Sequence, residues 1–572
     1  MTLMSATLHR VLLGQRPHRP HHAGIVHQRV DAAEGTASGS PCSSPTSEAQ
    51  VPLPVHAVNA SSRYVVALTA GNILVFDAHT GERRGALDTC VDSNAPIPPH
   101  MVCFPRICAI SPNEKYVAIA SDDKALRVWC IDDLEYGKEV FVQPLAKRAG
   151  TVHWVSDREM VVADKFGDVW SFVIDPSHPK QVQSLADADT DVASSGAASA
   201  QGPRPKLGHV SMITCLAFLR DASSDTPSTI VTCDRDEHIR LSRWGPHRAA
   251  HIVQQYLLGS RSCVGALVVV PADRAESAGF PCSRRPVLIT SDGGACLRAW
   301  CSDANGKYAL QATCHFAAEA MAQFVCVDAA VERRREKAAN NLAHKGGFDP
   351  QEPEPATKRA KRDDLPEEDA KAGGTSLVIH QLLYFHDGEH DWLVIRVEGA
   401  KALFTVRLDQ LTSDVSAPGL PVRDACALDA PILDTSLVHE EGCIVLWVCC
   451  DDRPGMGTGP PLSKWTWDTD HFTQDAVHGD TPLHALTSIQ ASNTTRATVS
   501  HAVQSKLCLY SQIMTWPKPP QTNPDGTPFS SFFLSHQSDQ VSRGMLDRFQ
   551  SGKRAAGRAK NQASIQQQFG GS

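Results

Sequence analysis

The chain has 572 residues, of which 42% are hydrophobic and 21% are charged, and its formal net charge is −8. This composition is typical of a soluble chain with enough apolar residues for a core, and the 38 glycines and 37 prolines indicate many turns. The net charge excludes a protein that is drawn as a whole to nucleic-acid phosphates, so any such contact needs a local basic site or a basic partner.

Residues 1–50 form a first segment that is rich in Pro, His, Ser and Gly, and we predict that it is disordered. The same reasoning predicts disordered insertions at about 176–206 and 332–374, and a disordered basic tail at 521–572. Between these ends, residues 51–520 are predicted to form one folded domain. The sequence has no run of 18 or more apolar residues, so we predict no membrane-spanning helix.

Within 51–520 one supersecondary unit recurs: an apolar strand, a turn, and a second alternating strand that ends in an aromatic or equivalent residue. In the clearest copy, Ile107 to Asp133, SPNEKYVAIAS is followed by DDKALRVW with Asp123 in the turn, which is similar to the WD-repeat pattern. The other six copies are SSRYVVALTAGNILVFD, VHWVSDREMVVADKFGDVWSFVI, GHVSMITCLAF with IVTCDRDEHIRLSRW, SCVGALVVV with PVLITSDGGACLRAW, LVIHQLLYFHDGEHDWLVIRVEGAKALFTVRL, and ACALDAPILDTSLVHEEGCIVLWVCC. Each unit leaves its faces uncovered, so the copies must pack radially. We therefore predict an all-β fold: a seven-bladed WD40-type β-propeller with disordered tails and insertions.

The fourth copy carries an unusual amount of charge between two apolar runs. Its sequence IVTCDRDEHIRLSRW, Ile230 to Trp244, predicts two antiparallel strands joined by a tight polar turn. Asp236 precedes Ile239 by three residues, as Asp123 precedes Leu126, and both are predicted to stabilise their turns. We expect Asp236 to accept hydrogen bonds from the backbone or from His209.

The other charged residues of this turn exceed what a turn requires. Arg235, Glu237, His238 and Arg240 would share a rim with Lys165 if neighbouring copies are adjacent in space. A solvated face is the simple alternative, because exposed ion pairs contribute little to stability. If the face is not merely solvated, Lys165, Arg235 and Arg240 would make the rim a local positive site on an acidic protein.

Three motifs in this region resemble the WD-repeat, non-catalytic subunit of the eukaryotic tRNA (guanine-N7)-methyltransferase. They are VVADKFGDVWSF at Val161 to Phe172, GHVSMIT at Gly208 to Thr214, and the charged-turn sequence that follows. In that family an ADKxGDV turn precedes GHVSM and then SDRDEHIRVS, and the order here is the same. The chain departs from the family where Gly259-Ser260 replaces a Gly-His pair and Gly294 replaces a turn aspartate. The resemblance covers mainly Val161 to Trp300.

The resemblance implies that the side carrying the charged turn docks the methyltransferase subunit. Arg240, at the matching motif position, is expected to form an ion pair with an acidic residue of that subunit. Arg235, Lys165, Glu237 and His238 are expected to contribute to the same partner-binding surface.

By the same resemblance, this chain is expected to be a non-catalytic scaffold in a heterodimer. The partner would bind S-adenosylmethionine and methylate N7 of a guanine in the variable loop of tRNA. Contact of this chain with tRNA is expected to be indirect or through the basic tail, Lys553 to Lys560. The expected location is the nucleus, with the cytoplasm as an addition. The cluster Lys358 to Arg362 suits a nuclear import receptor and a solvated loop equally well.

We predict no catalytic, cofactor-binding or metal-binding residues in this chain. No Gly-rich loop follows a strand and opens a helix, and the sequence contains neither a GxSxG elbow nor His and Glu at metal-ligand spacing. The 18 cysteines form no CxxC pair and often lie in apolar runs, as Cys215, Cys263 and Cys443 do. That pattern favours reduced, buried thiols over zinc ligands.

Two other functions remain open at this point. A substrate adaptor of a cullin-type ubiquitin ligase often carries W-D-x-R at a blade end, but here Trp467-Asp468-Thr469 is followed by Asp470. A nuclear scaffold associated with the DNA sliding clamp would use a tail peptide. Gln562, Ile565 and Phe569 have part of that spacing, although Gln568 stands where an aromatic residue is expected.

Overall fold

The computed structural model describes residues 50–70, 72–88, 104–175, 204–220, 226–245, 249–260, 263–281, 284–292, 296–316, 318–327, 377–412, 423–440, 442–477, 479, 481–488, 496, 498–505 and 507–510. Every described residue lies within one compact unit, Ala49–Ser572. The sequence predictions for residues 1–49, 176–203, 332–374 and 521–572 lie outside the described residues.

Seven four-stranded antiparallel sheets make up the described part of the chain, and within each sheet the strands are hydrogen-bonded in sequence order. We number them sheets 1 to 7 along the chain. Sheets 1 to 3 contain β2 (Val55–Ala60), β3 (Tyr64–Thr69), β4 (Asn72–Asp77), β5 (Arg83–Asp88); β6 (Pro105–Ile110), β7 (Tyr116–Ser121), β8 (Ala125–Cys130), β9 (Glu139–Pro144); and β10 (Ala149–Trp154), β11 (Glu159–Asp164), β12 (Asp168–Val173), β13 (Leu207–Gly208).

Sheets 4 to 7 follow the same order. They contain β14 (Ile213–Arg220), β15 (Pro227–Asp234), β16 (Ile239–Arg243), β17 (Val253–Leu257); β18 (Val264–Val270), β19 (Val287–Asp292), β20 (Cys296–Ser302), β21 (Tyr308–His315); β22 (Ile379–His386), β23 (Asp391–Val397), β24 (Ala402–Arg407), β25 (Arg423–Ala427); and β26 (Ile432–Glu440), β27 (Cys443–Cys450), β28 (Leu462–Asp468), β29 (His471–Asp475). The described helices are short and lie in connections: α1 (Ala272–Ser277), α2 (Ala318–Ala322), α3 (Pro482–Thr487), α4 (His501–Gln504) and a 3-10 turn at Leu408–Leu411. The predicted seven-bladed all-β propeller is confirmed.

Apolar side chains hold the sheets together face to face. The middle strands read as continuous apolar runs, such as YVVALT in β3 and CIVLWVCC in β27, because both faces of each sheet are covered by a neighbour. Each pair of consecutive sheets encloses its own buried apolar cluster, and a further cluster lies between sheets 7 and 1. The ring therefore closes on itself through core packing.

Hydrogen bonds also join the first and last sheets. Asp434 Oδ2 in β26 accepts from Val58 N in β2 at 3.1 Å, and Ser436 Oγ accepts from Ala60 N at 2.9 Å. Outside the seven sheets, strand β1 (Gln50–Pro52) pairs antiparallel with β30 (Thr498–Ser500). The two ends of the described chain thus meet, and this pairing adds a second closure to the ring.

Three details differ from the sequence predictions or refine them. In the last repeat copy, residues Arg423–Ala427 form the outermost strand of sheet 6, and sheet 7 begins only at Ile432. A copy defined from the sequence begins at an apolar strand. The outer strand of each sheet directly precedes the next sheet, so it can be taken for the first strand of the next copy. The cysteines of the described residues are free and mostly buried, although Cys443 is exposed. No described helix is long and apolar enough to span a membrane.

Candidate partner-docking site

The charged turn of sheet 4 joins β15 to β16, and Asp234 organises it. Asp234 is 1% exposed, and its Oδ1 accepts from Asp236 N at 2.9 Å and from His238 N at 3.0 Å. The prediction that the carboxylate of Asp236 caps the turn is therefore wrong, because β15 continues to Asp234 and makes it the first, inward-facing residue of the turn. Sheet 3 repeats the arrangement, since Asp164 Oδ1 accepts from Phe166 N and Asp168 N.

Asp123 does take part in the turn of sheet 2. Its Oδ1 accepts from Ala125 N at 3.0 Å, and its Oδ2 lies 2.6 Å from Arg127 Nη2. In that sheet Ser121, which is shorter, occupies the position that Asp234 has in sheet 4. The aspartate two residues later therefore supplies the acceptor, so counting from the next strand identifies the capping residue in one turn and not in the other.

His209 fixes the loop that enters sheet 4. Its Nδ1 donates to Asp234 Oδ2 at 2.9 Å and its Nε2 accepts from Thr232 Oγ1 at 2.7 Å, in a site where all three side chains are buried. Burial lowers the pKa of His209, which favours its neutral form. Burial alone would raise the pKa of Asp234, but hydrogen bonds from His209 and His238 hold it well below its usual value. The result is a charged, fully engaged carboxylate under the turn.

Arg240 lies inside the fold and not on its rim. It is 7% exposed, and its guanidinium donates to Ser242 Oγ at 2.7 Å, Gly208 O at 3.2 Å and Ala250 O at 2.9 Å. Burial lowers the pKa of Arg240. These bonds tie the last strand of sheet 3 and the approach to β17 onto β16. The prediction that Arg240 forms an ion pair with the partner is therefore corrected, because its side chain is buried and each of its three nitrogens bonds within the chain.

A repeated arginine was the sequence signal for this structural role. Arg127 in sheet 2, Arg240 in sheet 4 and Arg298 in sheet 5 occupy the same register position. Arg298 Nη1 lies 2.5 Å from Asp292 Oδ2, so this arginine supplies the partner of an aspartate whose sheet lacks the Gly-His pair. An arginine that recurs at the same position in several copies has a structural role within the repeat. Its presence does not indicate that one copy binds a partner.

The other predicted docking residues lie on the surface. Glu237 is exposed, the side chains of Arg235 and His238 are 34% and 43% exposed, and Lys165 is half-buried. Arg235 Nε is buried and has no hydrogen-bond acceptor within the described part of the chain; its closest carboxylate is Asp236 Oδ1 at 3.7 Å. Because the Arg235 side chain is 34% exposed, the guanidinium can still meet an acceptor on another protein, although its buried Nε cannot.

One loop brings the turns of sheets 3 and 4 together. His209 N donates to Gly167 O at 2.7 Å, and Arg235 N donates to Met212 O at 3.0 Å. Gly167 has a φ of +91°, and a Cβ there would lie 2.2 Å from Ser211 O. Only glycine permits this close approach. Lys165 and Arg235 therefore flank a single loop, as the sequence predicted for neighbouring copies.

Three exposed apolar residues beside this turn were missed by sequence reasoning. Val210 is 54% exposed in the connecting loop, and Tyr256 and Leu258 are 46% and 73% exposed at the end of sheet 4. The Tyr256 ring meets the His238 ring edge-to-face, with centroids 6.1 Å apart. An outer-strand apolar residue looks the same in sequence whether it is covered or not. We call the group Lys165, Val210, Arg235, Glu237, His238, Tyr256 and Leu258 the docking rim; apolar anchors among charges are typical of interfaces.

His238 makes the rim sensitive to pH. The hydrogen bond to Asp234, at 3.3 Å, raises the pKa of His238 above 6.5. The stability that protonated His238 contributes is present below pH 6.5 and is lost as pH rises through the raised pKa. We expect the difference in unfolding midpoint between wild type and His238→Gln to shrink between about pH 6 and about pH 9. Urea unfolding at both pH values measures it, and a difference that stays constant would contradict the assignment.

Within the described residues, no three His, Cys, Asp or Glu side chains are grouped so that they could hold a metal ion. The Trp467-Asp468 pair noted for a ligase adaptor lies at the β28–β29 hairpin, where Trp467 packs edge-to-face on Phe385 and Phe472. The similarity there reflects aromatic packing. The tail residues Gln562 to Phe569 lie outside the described part of the chain.

The family model described as the WD40 domain of the tRNA methyltransferase TRM82 matches residues 93–205 and 194–458. A relative from Aspergillus clavatus, a tRNA (guanine-N(7)-)-methyltransferase non-catalytic subunit, is 32% identical over 28% of this chain and 40% of its own length. Subunits with the same description from Phaeosphaeria nodorum and Xenopus laevis are 31% and 29% identical over 33% and 34% of this chain.

These alignments cover 44% and 38% of the Phaeosphaeria and Xenopus proteins, so the chain matches less than half the length of each of the three relatives. A solved chain from a mitotic checkpoint complex aligns over 75% of this chain at 11% identity with a TM-score of 0.40, a similarity too low to support an argument. The family match, in contrast, extends over more than half of the residues and includes both turns of the docking rim. The chain belongs to the TRM82 WD40 family of tRNA methyltransferase proteins.

Proposed function

We propose that this chain is the non-catalytic subunit of the complex that forms N7-methylguanine in the variable loop of tRNA, and that it binds the catalytic subunit through the docking rim. The observation that carries the proposal is the exposed turn Arg235 to His238, held on the buried Asp234–His209 network in a chain of this family. The relatives named above are described as non-catalytic subunits. That description supports the role proposed here.

The rim combines the two kinds of contact that protein interfaces use. Tyr256 and Leu258 offer apolar area near the turn, and buried aromatic anchors dominate binding energy at many interfaces. Arg235 and Lys165 supply positive charge that steers and orients an acidic partner surface. Because the turn is fixed by Asp234 from below, Arg235 binds with little loss of backbone freedom.

In this proposal the partner performs the reaction. It binds S-adenosylmethionine, and its residues catalyse the methyl transfer to N7 of guanine. This chain raises the population of the partner's competent conformation by the amount that it prefers that conformation, and by no more. The complex is a heterodimer in the nucleus, and tRNA meets this chain indirectly or through Lys553 to Lys560.

Charge reversal at Arg235 tests the docking surface. We expect Arg235→Glu to weaken binding to the co-expressed catalytic subunit at least about tenfold, because a like charge then faces an acidic surface. The matched control is Arg243→Glu, at the other end of sheet 4, where the side chain is also exposed. Affinity is measured with purified proteins, and 7-methylguanosine in tRNA is quantified in the same preparations.

Two results would contradict the proposal. Equal binding by Arg235→Glu and wild type would move the interface away from the rim. Methyl transfer to tRNA by this chain alone, without its partner, would end the scaffold role altogether. Arg243→Glu is the folded control with normal binding for the affinity measurement.

A further inference from the structure

Two cysteines lie opposite each other beneath the docking rim. Cys215 in β14 and Cys233 in β15 are register partners, and both side chains pack in the apolar cluster between sheets 4 and 5. Their thiols are hydrogen-bonded to each other. Opposite residues of antiparallel strands have Cβ atoms about 4.5–5.5 Å apart, and a disulfide requires about 3.5–4.5 Å. An approach of the two strands by about 1 Å therefore brings the sulfurs within bonding distance.

The two thiols differ in their access to solvent. Cys215 is half-buried, whereas Cys233 is 0% exposed, and both are free cysteines. Burial raises the pKa of Cys233 well above its usual value, so this residue remains a neutral thiol. The thiolate is the nucleophilic form, and the oxidant must be able to reach it. A small oxidant therefore reacts first at Cys215, with Cys233 beside it as the resolving thiol.

A third cysteine is the competing partner for Cys215. Cys263 lies directly before β18 and is 6% exposed. Burial raises the pKa of Cys263 to about 12, and the charge of Cys215 is the next largest cause. Cys263 belongs to the connection into sheet 5, whereas Cys233 is the residue opposite Cys215 within sheet 4. The strand register therefore favours a bond to Cys233.

The cysteine pair lies in the two strands that hold the charged turn. Cys233 directly precedes Asp234, which organises that turn. Cys215 is three residues after Met212, whose carbonyl oxygen accepts from Arg235 N at 3.0 Å. A covalent bond between the two cysteines draws β14 and β15 together directly behind Arg235. The position of Arg235 therefore depends on whether that bond is present.

We propose that Cys215 and Cys233 form a reversible disulfide when the chain meets hydrogen peroxide, and that this bond weakens docking of the catalytic subunit. The second half of the proposal rests on the docking function proposed above, and the first half does not. Docking affinity falls because the reduced strands position Arg235 for its contacts, and a displacement of about 1 Å takes hydrogen-bonding groups out of their favourable range.

The reaction balances with peroxide as the oxidant. The Cys215 thiolate attacks one peroxide oxygen and the O–O bond breaks, which gives a sulfenic acid and hydroxide. The hydroxide takes the proton that the Cys215 thiol released and becomes water. The Cys233 sulfur then displaces the hydroxyl group of the sulfenic acid, which leaves as water with the Cys233 proton. The two thiols lose two electrons in total, and one peroxide is reduced to two waters.

Mass spectrometry of the full chain tests whether the bond forms. The chain is treated with hydrogen peroxide, its remaining thiols are alkylated, and it is digested with trypsin without reduction. The two cysteines then lie in separate peptides, 207–220 and 221–235. We expect these peptides to be cross-linked, and the cross-link to be absent after dithiothreitol and in Cys215→Ser. The matched control is Cys443→Ser, which removes an exposed cysteine of sheet 7 and should leave the cross-link in place.

The wild-type sample contains its own control for the reagent. Oxidation of exposed Cys443 shows that peroxide has reached the chain. If Cys443 is oxidised and peptides 207–220 and 221–235 stay unlinked, the proposal is overturned. A cross-link from Cys215 to Cys263 in place of Cys233 would overturn it as well. Neither result depends on the folding of a variant.

Affinity for the catalytic subunit tests the consequence of the bond. The reduced and the cross-linked wild-type chain are each freed of peroxide before the subunit is added. We expect the cross-linked chain to bind at least about fivefold more weakly, because affinity depends on the preorganisation of the interface. Dithiothreitol should restore binding, and prior treatment with peroxide should leave the affinity of Cys215→Ser unchanged. Equal affinity of the two wild-type states would overturn the switch.

Arg235→Glu in the same binding assay separates this proposal from the docking proposal. If Arg235→Glu binds weakly while the cross-linked chain binds normally, the switch is wrong and the docking rim stands. If Arg235→Glu binds as wild type does, the docking rim is wrong, and so is the effect of the disulfide on docking. The cross-linked peptides still decide whether Cys215 and Cys233 form the bond.

Discussion

Arg240→Glu should lower the free energy of unfolding by about 3 kcal/mol or more. The substitution removes donors to Ser242 Oγ, Gly208 O and Ala250 O, and it places a carboxylate among those oxygens. Buried acceptors that lose their donors incur their full desolvation penalty, and an unpaired buried charge adds to it. The measurement is the urea midpoint of the purified chain, followed by far-UV circular dichroism.

Arg243→Glu is the control for that experiment. Arg243 is in the same strand but is exposed, so its reversal should change the free energy of unfolding by less than about 1 kcal/mol. If Arg240→Glu unfolded at the same midpoint as the control, the hydrogen bonds attributed to Arg240 would not matter. A loss of partner binding in Arg240→Glu therefore says nothing about direct contact unless folding is measured alongside.

Asp234→Ala should destabilise the fold by about 3 kcal/mol, whereas Asp236→Ala should change stability by less than about 1 kcal/mol. Asp234 accepts from two backbone N–H groups of the turn and from His209, all in a buried site, and hydrogen bonds to a charged group are the stronger kind. Asp236 contributes its backbone N–H to that network.

The pair of variants decides which carboxylate organises the turn. Both remove one aspartate from the same five-residue segment, so the net charge change is identical. Unfolding midpoints at neutral pH give the comparison. A larger effect for Asp236→Ala would mean that Asp236, and not Asp234, is the capping residue.

The partner-binding consequences differ in the same way. Asp234→Ala should loosen the segment that presents Arg235 and His238, so it should weaken docking along with stability. Arg235→Glu should weaken docking alone. The two variants thus distinguish Asp234, which positions the turn, from Arg235, which contacts the partner.

Sequence patterns were sufficient to predict the repeat because each copy must have the apolar faces of its sheet covered by neighbours. Apolar strands such as those of sheet 2 recur with a turn at a constant distance, and closing the seven sheets into a ring covers every face. The family resemblance of Val161 to Trp300 also came from linear motifs, which can be recognised without knowing which residues are in contact. Those features depend on residues that are close in sequence.

The identity of the capping aspartate could not be read in that way. The turn of sheet 4 contains two aspartates, and which of them faces inward depends on where β15 ends. A one-residue change of register turns a side chain from one face of a strand to the other. Asp123 and Asp236 occupy the same register position, yet the first accepts a turn hydrogen bond because Ser121 leaves room for it.

Burial was the second limit, and Arg240 shows why. In a propeller every inner strand is covered on both faces, so alternation in the sequence does not distinguish a rim cation from an enclosed one. The exposure of Tyr256 and Leu258 could likewise not be predicted, because it depends on which outer strands remain uncovered. The amino-acid sequence by itself determined the repeat, the ring and the family, since these follow from local patterns. Only the tertiary structure decided which charges are exposed, because exposure depends on residues that are distant in the chain.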